Sequence, residues 1–321
     1  MGNSYLSRVT ACLEEILNPI SLKYCRQKVD EFCRDSKSYL EALTRWKNKN
    51  EDNGKKCFIT AVDVKALYPN VTRELTKSAL QDALQSCSNF SPESRKAITN
   101  ATLHCLENAI VQFQGHYYKQ AKGIITGDNN SVSLANISLH FIVQDIPEIA
   151  KHAVIFQRFI DDIIYITREE DHNETIKKAL VKNFKDYELD LTFREVSTGG
   201  YEQQVEFLDV LHVTDENSPH GFYTKDFIKP TAVGHQFLNG RSFHPNTVYR
   251  SIITGEANRM SRLNERTEDL DESLKRLEQK CLNSGFHKSL VSETLEKIKT
   301  RNHMEKKEEE KTSKQKKDSM I

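Results

Sequence analysis

Two adjacent aspartates at the centre of an apolar, β-branched run are the residues best suited to do chemistry. Residues 156–166 read Phe-Gln-Arg-Phe-Ile-Asp-Asp-Ile-Ile-Tyr-Ile, and the carboxylates are Asp161 and Asp162. Two like charges in an apolar setting are costly unless a cation neutralises them. The pattern predicts two short strands with the aspartates at the tight turn between them. Aspartate is also favoured in turns for its backbone geometry, so the pair alone allows a purely structural interpretation.

A third carboxylate ends another hydrophobic segment far upstream. Residues 57–63 read Cys-Phe-Ile-Thr-Ala-Val-Asp, which predicts a buried strand that ends at Asp63. Three carboxylates that converge from neighbouring strands could hold two Mg²⁺ ions about 3.5–4 Å apart, the arrangement that runs an in-line phosphoryl displacement. We therefore expect Asp63 and Asp161 to form one metal site despite their separation along the chain.

Blocks around these carboxylates occur in an order that one protein family shares. Residues 63–71 read Asp-Val-Lys-Ala-Leu-Tyr-Pro-Asn-Val, and residues 120–137 contain Gln-Ala-Lys-Gly, Thr-Gly and Ser-Val-Ser-Leu-Ala-Asn. With Phe-Ile-Asp-Asp at 159–162, they resemble the palm motifs of reverse transcriptases, specifically those of Penelope-like retroelements. Residues 189–195 and 205–210 are similar to the next two palm segments of that family. Five ordered blocks are far more specific than any one of them.

The resemblance implies a metal-binding role for the three carboxylates. Asp63, Asp161 and Asp162 would hold two Mg²⁺ ions, for which Mn²⁺ is a possible substitute, and the backbone carbonyl of Val64 would complete the second site. One ion would lower the pKa of a primer 3′-hydroxyl, and the other would neutralise the triphosphate and the leaving pyrophosphate. The reaction implied is nucleotidyl transfer to that hydroxyl.

The resemblance also implies a nucleotide pocket. Tyr68 matches the steric gate whose ring lies under the sugar and clashes with a 2′-hydroxyl, although a ring that closes the turn before Pro69 is the structural alternative. Gln120, Gly123 and Gly127 match the block that lies against the template and the incoming base, where glycine allows close backbone approach. The nucleotide-binding residues implied are Val64, Tyr68, Gln120, Gly123 and Gly127.

Charge is balanced over the whole chain but not locally. Lysine plus arginine equals aspartate plus glutamate at 46 each, so any attraction to nucleic acid must be local. Residues 225–262, which are similar to the family's thumb, carry six lysines and arginines against only Asp226 and Glu256. Interleaved aromatic residues would suit a surface that follows a phosphate backbone, whereas a solvated helix face with core aromatics is the alternative. The six residues, here called the thumb cations, are Lys225, Lys229, Arg241, Arg250, Arg259 and Arg262.

The order of the predicted elements gives an α+β fold, in which a reverse-transcriptase/polymerase palm of antiparallel strands with packed helices precedes a mainly helical thumb. The expected parts are a helical N-terminal segment at 1–56 that connects fingers to palm, a palm at 57–214, a thumb-like region at 215–302 and a disordered charged tail at 303–321.

Periodicity and helix-terminating residues predict the bounds of the elements. A hairpin is expected to turn at Gln114-Gly115, and a single strand is expected over 204–213. The expected helices are 5–18, ended by Pro19, then 22–48, about 72–87, 92–112, 130–148, 174–186 and a helical stretch from 246 to about 302.

The leading hypothesis is an RNA-directed DNA polymerase of a retroelement, with deoxynucleoside triphosphates and an RNA or DNA template with primer as its partners. A catalytically inactive nucleic-acid-binding remnant that lacks the fingers is the alternative, and a palm-type nucleotidyl cyclase is a third class. Only 62 residues precede Asp63, so we do not expect the family's fingers in this chain. We also do not expect the Gly-Ile-Tyr endonuclease that many Penelope-like elements carry after the thumb. Because positioning is a large share of phosphoryl-transfer catalysis, the chain as it stands should extend primers poorly.

Seven cysteines are scattered without Cys-x-x-Cys spacing, which favours reduced thiols over a zinc site or a disulfide framework. No apolar stretch reaches the length of a membrane span, and no secretory leader is visible. The expected location is therefore nuclear or cytoplasmic, without a membrane partner. The sequence does not indicate an oligomeric state.

Overall fold

The computed structural model describes most of the chain. The residues described are 5–26, 32–49, 56–144, 146, 151–198, 202–229 and 237–301. The tail predicted at 303–321 lies outside them, and the four-part division of the chain stays a prediction.

A four-stranded antiparallel sheet lies at the centre of the fold. Its strands are β1 (Phe58–Val64), β4 (Ile155–Phe159), β5 (Asp162–Thr167) and β6 (Leu191–Ser197). Their order across the sheet is β4-β5-β1-β6, so β1 is an inner strand with β5 on one side and β6 on the other. In this register Asp63 lies opposite Asp162 on one side and opposite Thr192 on the other.

Helices surround this sheet, and all but one of them cover one of its faces. They are α1 (Tyr5–Tyr24), α2 (Ser36–Lys49), α3 (Leu67–Asn70), α4 (Arg73–Cys87), α5 (Pro92–Glu107), α6 (Ser131–Val143) and α7 (Glu170–Lys185). All but α2 contribute to one buried cluster, which takes Val62 from β1 and Ile163 from β5. Local sequence fixes several helix starts: the Thr72 side chain accepts a hydrogen bond from Leu75 N at the beginning of α4.

The other face of the sheet is also covered, which explains why the inner strands β1 and β5 are buried almost throughout. The second layer combines α2 with a three-stranded antiparallel sheet. That sheet consists of β7 (Gln204–Phe207), β8 (Val210–Thr214) and β9 (Phe222–Asp226), in the order β7-β8-β9. Ile59 and Ile164 of the central sheet pack into this layer, together with Tyr39 and Leu43 of α2.

Two helix predictions near the N-terminus are wrong. Helix α1 does not stop at Pro19 but continues to Tyr24. Its apolar side chains recur at helical spacing and stay buried beyond the proline, so packing outweighs the one backbone hydrogen bond that proline cannot make. The helix predicted over 22–48 begins only at Ser36, because Cys33 N donates a hydrogen bond to Arg158 O at the edge of β4 (2.9 Å).

The strand predicted over 204–213 is two strands joined by a tight turn. The chain reverses at Leu208 and Asp209, and Leu208 has the left-handed φ of +57°. Aspartate is common in turns, but leucine is not a turn former and rarely adopts a positive φ. The reversal is held from outside, since both arms are buried at Phe207 and Val210 and the Asp209 carbonyl accepts a hydrogen bond from Phe227 N at 2.8 Å.

A two-stranded hairpin stands apart from both sheets. It consists of β2 (Ile110–Phe113) and β3 (His116–Lys119), and it follows α5, which ends earlier than the predicted residue 112. The predicted turn at Gln114-Gly115 is confirmed, with φ of +49° and +82° at these two residues. The helix predicted over 130–148 is α6, and residues 145 and 147–150 lie outside the described part of the chain.

Three C-terminal helices form a separate apolar cluster. They are α8 (Asn246–Leu263), α9 (Thr267–Asn283) and α10 (288–301). The turn between α9 and α10 contains Gly285, with φ +83°, and a Cβ at Gly240 would lie 2.0 Å from the Gly285 carbonyl oxygen. Glycine is therefore required at both positions of this close approach. Among the described residues, no helix is both long enough and apolar enough to cross a membrane.

Candidate active site

The register of the central sheet brings two of the predicted carboxylates together. Asp63 and Asp162 are directly opposite each other on β1 and β5. Residues opposite each other in an antiparallel pair share a face, with Cβ atoms about 4.5–5.5 Å apart. Asp161 occupies the turn immediately before β5, with Ile160 as the other turn residue. The sheet thus brings three carboxylates from two distant segments to the ends of its inner strands, a place here called the carboxylate edge.

The turn that carries Asp161 has a costly backbone conformation. Ile160 has φ +49°, a left-handed value that β-branched residues rarely adopt. Arg158 supports the turn: it is only 2% exposed, and its Nη1 donates hydrogen bonds to the Ile160 carbonyl at 2.9 Å and to Asn136 Oδ1 at 3.2 Å. An arginine on α6's side of β4 therefore links the Ala-Asn block to the aspartate turn.

The carboxylates repel one another electrostatically. Burial raises the pKa of Asp162 to about 6, and the charges of Asp161 and Asp63 add to that rise. Burial also raises the pKa of Asp161, with a further contribution from Asp63. Lys229 opposes both shifts. This edge of the sheet therefore concentrates negative charge in a partly desolvated place, where a cation would be stabilised.

A cavity of about 320 Å³ opens beside the carboxylates. Its walls include Asp63 and Asp162, the cations Arg194 and Lys229, and Glu206, which forms an ion pair with Arg194. Both signs of charge are present, so the cavity offers carboxylates for a metal ion and cations for an anionic group.

The carboxylates have the donor chemistry of a magnesium site, but the described residues do not form a ready metal-binding cluster. Hard oxygen ligands of this kind are those that Mg²⁺ prefers, and their mutual repulsion would be relieved by a divalent ion. Within the described residues, however, no three His, Cys, Asp or Glu side chains stand close enough together to hold a metal ion.

Tyr68 lies near the carboxylate edge. It is half-buried on α3, the short helix that follows the left-handed Ala66 (φ +46°). Burial raises the pKa of Tyr68, and the negative charge of Asp161 adds to the rise. Tyr68 thus lies near enough to Asp161 to interact with it electrostatically, and its role as a steric gate stays a prediction.

Gly123 joins the second block to the first. Ile124 N donates a hydrogen bond to the Tyr68 carbonyl at 2.7 Å. A Cβ at Gly123, whose φ is +95°, would lie 2.5 Å from the same oxygen and 2.7 Å from Pro69 Cα. Any side chain here would push the second block away from Tyr68, so the glycine serves close backbone approach within the protein.

Gln120 and Gly127 lie on the segment that connects the β2–β3 hairpin to α6. The Gln120 carbonyl accepts a hydrogen bond from Arg73 Nη2 at 3.1 Å, and its side-chain amide donates to Lys122 O at 3.0 Å. Gly127 has φ +86°, and a Cβ there would meet open space, so its requirement is conformational. Their contact with a base or template stays a prediction.

The thumb cations are divided between paired and exposed positions. Arg241 and Arg262 are exposed, and Lys229 lies in the cavity beside the carboxylates. The other three form ion pairs: Lys225 with Asp269 (3.8 Å), Arg250 with Glu293 (3.3 Å) and Arg259 with Asp209 (2.7 Å). Three of the six cations are thus already paired with acidic side chains of the protein, and the role of all six in binding nucleic acid stays a prediction.

Sequence reasoning gave no role to three residues of the site. Arg158, Asn136 and Arg194 all act on the carboxylate edge, the first two through the turn and the third through its charge. Arg158 carried a usable signal, because a charged residue in an otherwise apolar strand must be paired inside the protein. Arg194 carried none, since an arginine on an edge strand is ordinarily a solvated residue.

An antiparallel sheet with carboxylates at one edge, helices packed on its face and a helical region after it is the palm architecture of a nucleic-acid polymerase. Residues 6–208, more than half of the chain, match the reverse transcriptase (RNA-dependent DNA polymerase) family. The chain therefore belongs to this family, and the predicted α+β palm followed by a helical region is confirmed. Residues 236–296 match the animal helix-turn-helix domain, which covers most of the three C-terminal helices.

Solved structures share this fold at low sequence identity. Telomerase from Candida albicans in complex with a TWJ fragment of telomeric RNA aligns with a TM-score of 0.64 and 14% identity, over 92% of this chain and 52% of that one. Telomerase from Candida tropicalis with such a fragment gives 0.57 and 14%, over 88% and 47%. The chain thus spans about half the length of these telomerase chains. A search of curated proteins finds no match.

Proposed function

We propose that this chain is the palm and thumb portion of an RNA-directed DNA polymerase of a Penelope-like retroelement. The observation that carries the proposal is the register pairing of Asp63 with Asp162 next to the Asp161 turn. Membership of the reverse transcriptase family supports the reaction class. The order of blocks around Asp63 and Asp161, together with Phe-Ile-Asp-Asp, supports the Penelope-like assignment.

Asp63, Asp161 and Asp162 would hold two Mg²⁺ ions, with the Val64 carbonyl as a further ligand. When bound, such ions make a primer 3′-hydroxyl more acidic and neutralise the triphosphate. The surrounding residues would position the reactants. Arg158 supports the turn that carries Asp161, and Tyr68, which interacts electrostatically with Asp161, would exclude a ribose 2′-hydroxyl. Gly123 allows the second block to approach Tyr68.

A catalytically inactive, nucleic-acid-binding remnant is the second candidate. One observation favours it, namely that the described residues contain no three potential ligands close enough together to hold a metal ion. The two candidates differ in a simple property, since only an active palm must bind Mg²⁺ through its carboxylates.

Thermal unfolding with added metal separates the two candidates. We expect Mg²⁺ or Mn²⁺ to raise the Tm of the chain, because an ion that binds only the folded state stabilises it. The Asp161→Asn variant should lose this rise, and the Asp171→Asn variant should keep it, because Asp171 is an exposed carboxylate in the first turn of α7, beyond the end of β5 that is far from Asp162. A rise that is equal in both variants would contradict the metal site.

Primer extension on an RNA template with deoxynucleoside triphosphates and Mg²⁺ tests the reaction itself. Because this chain covers about half of the telomerase chains it resembles, the assay compares the chain alone with the chain fused, before Ser4, to the fingers of a relative. We expect extension near background from the chain alone and clear extension from the fusion. In the fusion, Asp63→Asn should reduce the rate by about a thousandfold or more, and Asp171→Asn should leave it unchanged.

Tyr68→Ala in the same fusion should admit ribonucleotides while largely sparing deoxynucleotide use, because only a clash is removed. Equal loss of both activities would show that the ring is structural. Failure of the fusion to extend any primer, with binding to nucleic acid retained, would favour the inactive remnant.

A further inference from the structure

The β2–β3 hairpin exposes an unusual amount of aromatic and apolar surface. All eight residues of its strands are exposed, and the fractions reach 74% for Tyr117, 63% for Phe113, 58% for Ile110 and 51% for Tyr118. A two-stranded hairpin that packs against nothing is at best marginally stable in water. Contiguous exposed rings of this kind mark an interaction site.

Both faces of the hairpin carry rings. Directly opposite residues share a face, so Tyr118 and Val111 lie with Phe113 and His116 on one side. The other side carries Tyr117 opposite Gln112, with Lys119 one pair further along. A flat ring next to an amide and an ammonium group is the chemistry that binds a nucleobase and its phosphate.

The charge of the segment has one sign. No aspartate or glutamate occurs in residues 108–127, whereas Lys119 and Lys122 are present together with His116. A polyanion would be attracted along the whole segment. A second copy of this chain would instead bring the same positive charge to the contact.

The base of the hairpin is anchored to the segment that follows β1. Gln120 N donates a hydrogen bond to Ala109 O at 3.0 Å, which closes the two strands, and the Gln120 carbonyl accepts one from Arg73. A few residues on, the Ile124 amide is bonded to the Tyr68 carbonyl. The base of the hairpin is therefore linked through a few residues to the backbone of Tyr68.

We propose that the β2–β3 hairpin binds the unpaired part of the template strand, by stacking bases on Tyr117 and Tyr118 and by attracting phosphates to Lys119 and Lys122. The identity of the bound strand as a template rests on the proposed function, but the binding of single-stranded nucleic acid does not. The hairpin serves as a guide that delivers unpaired bases to the palm, and this occupant explains why the rings are exposed in the protein alone.

Anisotropy titration of a labelled single-stranded RNA with the full chain in EDTA tests the proposal, because no metal and no catalysis are involved. The double variant Tyr117→Ala/Tyr118→Ala should bind about tenfold or more weakly, since each lost stack costs a substantial factor. The variant Tyr117→Phe/Tyr118→Phe keeps the rings and should bind as the wild type does. Phe90→Ala, which removes another exposed ring (38%) outside the hairpin, should also leave binding unchanged.

The outcomes separate this proposal from the polymerase proposal. Unchanged affinity in the double alanine variant, or an equal loss in Phe90→Ala, would overturn the role of the hairpin. Sedimentation that shows a dimer lost in the double variant, with RNA affinity unchanged, would assign the surface to a second copy and also overturn it. If RNA binding depends on the hairpin but the fusion with fingers extends no primer, the proposal for the hairpin stands and the polymerase proposal is wrong.

Discussion

Two hairpin turns in this molecule have nearly the same local design and opposite electrostatic environments. The β4–β5 turn is Ile160-Asp161 and the β7–β8 turn is Leu208-Asp209, and in each the apolar residue has a left-handed φ, +49° and +57° respectively. At the first turn, burial and Asp63 raise the pKa of the aspartate. At the second, the carboxylate of Asp209 is bonded to Arg259 from α8 at 2.7 Å.

The difference shows that two turns of similar sequence have opposite electrostatic surroundings, one with an internal cation and one with other carboxylates. Asp209 is neutralised inside the protein, and its bond to Arg259 ties the second sheet to the C-terminal helices. Asp161 faces other carboxylates, so its charge remains available for a ligand. What differs is the origin of the neutralising cation, which is a side chain at one turn and, in our proposal, a metal ion at the other.

The largest expected effect on this comparison is removal of the support under the first turn. Arg158→Leu should lower the free energy of unfolding by about 2–4 kcal/mol, because it leaves the Ile160 carbonyl and the Asn136 amide oxygen buried without their donor. Urea denaturation measures the loss. Arg158→Lys should recover only part of it, since an ammonium group cannot reproduce the forked geometry. A loss below about 1 kcal/mol for the leucine variant would show that the turn holds itself.

The second turn depends on a strand that should be sensitive to acid. In β8, His212 is fully buried; its Nε2 lies 2.6 Å from the Tyr39 hydroxyl and its Nδ1 lies 3.2 Å from Val205 O. Burial lowers the pKa of His212 from 6.5 to about 3. The unfolded chain therefore binds the proton first. The stabilising contribution is complete above pH 6.5 and is lost as the pH falls from 6.5 toward 3, at no more than about 1.4 kcal/mol per pH unit.

Unfolding free energies at pH 7 and pH 5 for wild type and His212→Gln measure this dependence. Glutamine can still accept from Tyr39 but does not titrate, so the variant should lose less stability between the two pH values, by roughly 2 kcal/mol. The difference between the two proteins isolates His212 from the carboxylates, which also titrate in this range. Parallel pH profiles would exclude the histidine as the cause.

Charge removal should have opposite signs at the two turns. Asp161→Asn should raise the free energy of unfolding slightly, because it removes repulsion with Asp63 and a partly buried charge. Asp209→Asn should lower it by about 1 kcal/mol, because it leaves Arg259 without its closest acceptor. Thermal or chemical unfolding without metal ions compares the pair. The same sign at both turns would contradict the distinction drawn between them.

The smallest expected effect concerns whether Arg259 is available to nucleic acid. Arg241→Gln/Arg262→Gln removes two exposed thumb cations and should flatten the salt dependence of duplex binding by roughly one phosphate contact each. Arg250→Gln/Arg259→Gln removes two that are already ion paired and should change it less. A larger change for the paired arginines would mean that nucleic acid competes with Asp209 and Glu293 for them.

The sequence was sufficient for the elements whose signals are local. The hairpin at Gln114-Gly115 follows from residues that accept positive φ, and the starts of α4 and α5 follow from Thr72 and from Ser91-Pro92. The carboxylate edge also followed from strand patterns at Asp63 and Asp161, because apolar runs ended by acids are informative wherever they occur. The motif order then indicated the family.

Tertiary structure decided the features in which packing overrides local preference. Helix α1 continues past Pro19 because the burial of its apolar side chains outweighs the one hydrogen bond that proline cannot make. Leu208 adopts a positive φ because both neighbouring strands are buried and the Phe227 amide is bonded to the turn. Neither feature can be predicted from the residues near it in the sequence. Which aspartate is neutralised was likewise undetermined, since Ile-Asp and Leu-Asp are alike as dipeptides. The fold places Arg259 beside one and Asp63 beside the other, and electrostatic interactions depend on distance in space.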